Sequence, residues 1–248
     1  MFFRNRALHP ALWLALLVSA GPAFAQISIT TFGSPVTENF NTLAITGTSS
    51  TLPAGWAFAE AGTNANTTYS AGTGSSNAGD TWSYGASSVT ERALGGLRSG
   101  SLVPIFGATF VNQTGSAITS LEIAYVGEQW RLGTQNRNDR IDFQYSTDAT
   151  SLTTGTWTDV NPLDFVTPNP TATVGALDGN AIANRTALAF TISNLGITNG
   201  ATFWIRWTDL DATSADDGLA VDDFSLTAYE TPVAVSTSTW GIVKALYR

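Results

Sequence analysis

Residues 207–226 read WTDLDATSADDGLAVDDFSL, and the reading of this stretch decides the fold. Just upstream, Phe203, Ile205 and Trp207 alternate with Trp204, Arg206 and Thr208, and downstream residues 219–226 again have strand character. Two strands therefore flank an acidic loop. Asp209, Asp211, Asp216, Asp217, Asp222 and Asp223 all lie in it or in the strand that leaves it, with no basic residue between positions 208 and 226. So many like charges in one short segment repel one another unless water screens them or a cation neutralises them.

The same period of two recurs on both sides of the centre. Leu121, Ile123 and Tyr125 alternate with Glu122 and Ala124; Ile141, Phe143 and Tyr145 alternate with Asp142, Gln144 and Ser146; Leu188, Phe190 and Ile192 behave alike. Clusters of Gly, Ser, Thr, Asn and Pro punctuate these runs at residues 46–50, 70–79, 134–138, 147–155 and 167–173. Short strands joined by small-residue turns, with no repeat at a fixed period, predict an all-β fold, an antiparallel β-sandwich of jelly-roll type.

Residues 1–25 have the form of a signal peptide. Arg4 and Arg6 precede the apolar run 11–18, and Ala23-Phe24-Ala25 offers a small-residue cleavage site. The run is too short to span a bilayer, and nothing later approaches about 18 apolar residues in succession. Residues 26–229 are expected to form one sandwich domain, and 230–248 a linker and short tail in which Trp240, Val243 and Tyr247 fall at helical spacing. The protein is expected to be secreted, to the extracellular space or the periplasm.

Removing Arg4 and Arg6 leaves nine basic residues against 19 acidic ones. That balance argues against nucleic acid and against anionic membrane surfaces, since both are bound through Lys and Arg. The chain has no cysteine, and its one histidine is His9, within the signal peptide. Ser-His-Asp and Cys-His catalysis are thereby excluded, as are zinc sites built on His or Cys. An exported fold without disulfides needs a large core or a metal.

Two stretches carry a family resemblance. Glu38-Asn39-Phe40 is followed by Leu52-Pro53-Ala54-Gly55-Trp56, and the last strand reads Ala220-Val221-Asp222-Asp223-Phe224-Ser225-Leu226. Together, in this order, they resemble the ends of exported bacterial modules of the cleaved-adhesin and choice-of-anchor group, relatives of the MAM jelly roll. The resemblance covers roughly residues 37–228, with its motifs at the two ends. It implies neighbouring first and last strands sharing a structural calcium, with Glu38 and Asp222 supplying carboxylate oxygens. Local charge density adds Asp209 or Asp211, and backbone carbonyls would complete about 6–8 oxygen ligands. Independently of the family, strict alternation puts Asp222 on the same inward face as Phe224 and Leu226, where a carboxylate needs a compensating charge. The alternative is that these residues are turn formers on a solvated loop.

Trp130 beside Arg131 admits two readings. One is a sugar-binding platform, a flat ring under a pyranose with guanidinium donors for its hydroxyls. The other is a core tryptophan next to an Arg–Glu pair at a strand end. Residues 161–185, with Pro162, Pro168 and Pro170, form a long segment without alternation, where Asp164, Asp178, Asn180 and Asn184 are available to a ligand or second ion. The expected function is a non-enzymatic, calcium-stabilised β-sandwich that binds glycan or another extracellular ligand. The alternatives are a structural envelope or matrix component, and a carboxylate-based glycoside hydrolase. For the last, Glu122 and Glu128 lie about 20 Å apart along one strand, too far for a catalytic pair.

Overall fold

The structure is a computed structural model that describes residues 25–230. The expected signal peptide and the C-terminal linker and tail lie almost wholly outside the described residues. In chain order the strands are β1 (Ile27–Ile29), β2 (Val36–Glu38), β3 (Thr48–Ser49), β4 (Trp56–Ala61), β5 (Tyr69–Gly72), β6 (Asp80–Tyr84), β7 (Ala93–Leu97) and β8 (Val103–Asn112). They continue as β9 (Ser120–Leu132), β10 (Arg140–Ser146), β11 (Thr158–Asp159), β12 (Phe165–Val166), β13 (Gly175–Ala176), β14 (Arg185–Ile192), β15 (Thr202–Asp209) and β16 (Gly218–Tyr229). Two 3-10 turns, Asn161–Leu163 and Ile182–Asn184, are the helical elements of the described residues. No helix among them is long and apolar enough to cross a membrane.

The strands form two sheets packed face to face. In the first, β8, β15 and β10 lie side by side, β1 and β4 share the outer edge of β8, and β11 and β12 share that of β10. In the second, the order runs β9-β16-β7-β6-β5-β3, with β13 and β14 along the far edge of β9 and β2 beside β16 beyond the end of β7. From β7 onward the long strands alternate between sheets: β7, β9, β14 and β16 in the second, β8, β10 and β15 in the first. That alternation is the jelly-roll pattern, and it places β15 and β16, the flanks of the acidic loop, in opposite sheets. The pairing is antiparallel except at β1–β8 and β5–β6.

The core lies between the sheets and is centred on Trp207. Its ring stacks on Trp56 and Phe106 and meets Tyr125, Phe143 and Phe224 edge-on, with centroids 5.2–6.1 Å away. Such offset and T-shaped contacts suit the aromatic quadrupoles, beyond the gain from burying large rings. The long segment 161–185 completes this core rather than hanging off it. Leu163 and Phe165 are fully buried, and a Cβ on Gly127 would lie 2.3 Å from the Phe165 ring, so β9 has a glycine where that ring enters.

The expectation that Asp222 faces inward with Phe224 is corrected by the backbone. The β16–β9 register shifts between Asp222 and Ser225, and Asp223 has a φ of 48°. This bulge inserts an extra residue and resets the alternation. Leu219 and Val221 before it, and Phe224, Leu226 and Ala228 after it, all join the core, whereas Asp222 is turned to the opposite face with Ala220.

Replacing Trp207 with Ala removes the ring at the centre of this packing. The expected loss is about 3–5 kcal/mol of stability, read as a lower midpoint in urea-induced unfolding followed by far-UV circular dichroism.

Candidate metal centre

The outward face of the second sheet carries its own small core. Trp82, Tyr84 and Trp130 stack in a row, with centroids 5.8 and 6.1 Å apart, and Ala93, Leu97 and Ala220 pack with them. The segment after β13 lies over this layer, since a Cβ on Gly179 would sit 2.4 Å from the Trp130 indole. Trp130 is consequently only 2% exposed. Of the two readings of Trp130, the core one fits the structure rather than an open sugar platform, and its indole Nε1 donates to Glu128 Oε2 at 2.9 Å.

Beside that layer, three carboxylates converge. Among the described residues, Glu91, Glu128 and Asp222 are the set whose oxygens lie within 4.8 Å of one another. The ladder explains the convergence: Ala220 pairs with Glu128, so Asp222 follows two residues along β16 on the same outward face. Glu91 enters from the turn before β7, held by Asn180 Nδ2, which donates to Glu91 Oε2 at 2.5 Å. Glu128 and Asp222 are 1% and 6% exposed. Asp222 Oδ1 and Glu91 Oε1 are buried without a hydrogen-bond partner, and no ion pair from the described residues reaches any of the three. Arg185, opposite Glu128 across the β14–β9 ladder, acts only at longer range.

The electrostatics follow from this crowding. Burial pushes the Asp222 carboxyl up to about 8 against a hydrogen bond from the Asp223 amide, and the charges of Glu128, Asp223 and Glu91 add to the rise. Burial likewise pushes Glu128 up to about 7, opposed by the Trp130 indole N–H. Three converging carboxylates, two of them buried and none ion-paired, have the chemistry to fit a hard cation, whose charge would replace the protons that Glu128 and Asp222 otherwise retain.

The residues expected to bind one ion are distributed over three places. Asp222 lies in the cluster just described, together with Glu128 and Glu91, neither of which the sequence reading put forward for an ion. Glu38 lies on β2 opposite Phe224, where its Oε1 accepts from the Phe40 amide at 2.8 Å. Asp211 is largely exposed and pairs with Arg98 at 3.3 Å. Asp209, at the end of β15, is buried with both carboxylate oxygens unpartnered. Burial, with Asp139 and Asp216 nearby, holds its carboxyl well above the ordinary range.

The neighbouring acids of the loop show what full compensation looks like. Asp139 and Asp217 both pair with Arg137, at 3.2 and 3.5 Å. Asp139 Oδ2 also accepts the Asp217 amide at 2.7 Å, and Asp217 Oδ1 accepts the Gly133 amide at 2.7 Å. Arg131, expected to bind ligand, points to the loop before β6, where its Nη1 donates to the Gly74 and Ser75 carbonyls at 3.1 and 3.3 Å. It forms no pair with Glu128. Arg131 and Arg98 both line a surface cleft of about 460 Å3 together with Asn77, Val174 and Asp216.

A raised carboxyl pKa means that the folded state holds protons that the unfolded chain releases near pH 4. For Glu128 and Asp222 this contribution is fully present below about pH 4 and is lost as pH rises through about 7 and 8. In chelator, the melting temperature should therefore fall from pH 5 to pH 8.5, and Asp222→Asn should flatten the fall. A differential scanning fluorimetry series over pH checks this, and an equal slope in the two proteins would contradict it.

No family model matches the chain, and no curated protein matches it. Solved structures with a similar fold include the K3 cleaved adhesin domain of Lys-gingipain from Porphyromonas gingivalis, at 14% identity and TM-score 0.42, covering 71% of this chain and 93% of that one. The K1 cleaved adhesin domain of the same protein matches at 12% identity and TM-score 0.37, covering 79% and 99%. A family 35 carbohydrate-binding module from Clostridium thermocellum matches at 11% identity and TM-score 0.32, covering 78% and 98%. The chain is thus similar to β-sandwich adhesin domains and carbohydrate-binding modules, at similarities low enough that its chemistry is argued from its own residues.

Proposed function

We propose that the protein is an exported, non-enzymatic β-sandwich module, braced by a calcium ion at Glu91, Glu128 and Asp222, that binds a glycan or another extracellular ligand. The observation that carries this reading is the buried three-carboxylate centre, with two oxygens lacking any partner. A chain with no cysteine has no disulfide to tie its layers, and a cation here would join β16, β9 and the turn before β7. Calcium, which takes several protein carboxylates in a flexible geometry, suits three converging carboxylates better than magnesium, which keeps most of its waters and uses one or two.

Catalysis is the weaker reading of the same residues. A glycosidase uses two close carboxylates, one raised and protonated as the acid and the other ionised as nucleophile or base, whereas here both are raised. Glu128 and Asp222 are too deeply buried for a glycosidic bond to lie between them, so their proximity supports ion binding rather than hydrolysis. The ligand-binding part of the reading rests on the outward clefts at the loop end of the second sheet, which combine guanidinium, amide and carboxylate groups.

With calcium about a hundredfold above its dissociation constant, the melting temperature at pH 8 should rise by about 5–10 °C over that in chelator. Asp222→Ala should abolish the rise, whereas Glu38→Gln should leave it intact. Equal melting temperatures with and without calcium would overturn the ion site, and a rise lost in Glu38→Gln would return it to the β2 edge.

A further inference from the structure

We propose that the cleft between Arg98 and Arg131 is a subsite for a carboxylate-bearing saccharide, a hexuronate unit of an acidic glycan. The inference rests on the glycan-binding reading above and names where the ligand sits and what it carries.

The cleft lies where three strands of the second sheet end. Arg98 directly follows β7, Arg131 is the next-to-last residue of β9, and Gly218 at the start of β16 pairs with Arg131 between them. Its volume of about 460 Å3 falls in the range of small-molecule sites. Several other guanidinium groups among the described residues are committed. Arg137 pairs with Asp139 and Asp217, Arg140 with Asp142, and Arg206 donates to Gln144 and the Leu152 carbonyl while lying over the Trp157 ring. Arg131 has no carboxylate within ion-pair distance and uses one nitrogen on two carbonyls, which leaves the rest of its donor fork without an anion. Arg98 adds a second positive charge whose only ion pair is to Asp211, a carboxylate 74% exposed and free to yield it. Arg98 Nη1 donates to the Asp209 carbonyl at 2.9 Å, which fixes the guanidinium and leaves Nη2, now on Asp211, as the nitrogen for a ligand carboxylate.

A planar, bidentate acceptor is what such forks recognise. The remaining walls suit a sugar ring. Asn77 offers an amide and Asp216 a carboxylate for hydroxyls, and half-exposed Val174 offers an apolar edge for ring C–H groups. A simple anion would use only the arginines. A neutral sugar would leave Arg131 without its counterion.

The test is isothermal titration of the protein, in calcium and at low ionic strength, with digalacturonate, neutral galactobiose and tetraglutamate. Digalacturonate should bind, and its affinity should fall about tenfold or more in Arg131→Gln and fall again as salt is raised. Val174→Glu, a change at an exposed position that preserves folding, should weaken it similarly by placing a like charge on the wall. Equal binding of galactobiose would overturn the carboxylate while leaving the glycan reading in place. Equal or tighter binding of tetraglutamate would overturn the saccharide. No binding of digalacturonate by a protein that still shows its calcium-dependent melting shift would overturn the subsite alone. Digalacturonate affinity unchanged in both variants would move the ligand elsewhere.

Discussion

The bulge at Asp222 and Asp223 is the constraint on which the rest of the site depends. β16 is an interior strand of its sheet, flanked by β9 on one side and by β7 and β2 on the other, and it must present apolar side chains to the core along its whole length. Leu219 and Val221 do so in one phase, and Phe224, Leu226 and Ala228 in the other. The change of phase is absorbed by Asp223 in the left-handed region, a conformation that Asp tolerates better than most residues. Its consequence is chemical as well as geometric. Without the bulge Asp222 would point among aromatic rings; with it, the carboxylate is delivered to the outward face beside Glu128.

The protein holds its buried carboxylates in two different ways. Around Arg137, Asp139 and Asp217 receive a guanidinium and several backbone amides, so each negative charge has donors within the fold itself. Glu91, Glu128 and Asp222 have amide and indole donors but no guanidinium within ion-pair distance. Removing a charge from water without a partner costs several kcal/mol, and such a group takes up a proton or a cation instead. The contrast separates carboxylates compensated by an ion-pair network from carboxylates without one, although both are clusters of acids in one small domain.

Much of the sandwich was legible because strand alternation is a local property. Leu121, Ile123 and Tyr125 face the core as their period implies, and Phe203, Ile205 and Trp207 do the same on β15. The segment 161–185 was not legible, because Leu163 and Phe165 sit in the core through turns and a two-residue strand that carry no period. Trp130 was read in two ways since its neighbours in sequence do not reveal what covers it; Gly179, nearly fifty residues on, does. Asp222 was read from the sequence as facing inward and near Glu38, whereas the bulge turns it to the outward face beside Glu128 and Glu91.

By itself the sequence determined the class of the fold and the chemistry available to it. Period-two hydrophobicity has only one structural meaning, and a chain whose only histidine is His9 and which has no cysteine is restricted to oxygen ligands, carboxylates and guanidinium groups. Only the tertiary structure decided which carboxylates meet. Glu91, Glu128 and Asp222 are far apart in sequence and converge because β7, β16 and β9 are neighbours in one sheet and because a single inserted residue turns β16 over. Strand order and bulge position arise from long-range packing, which short-range pattern does not encode.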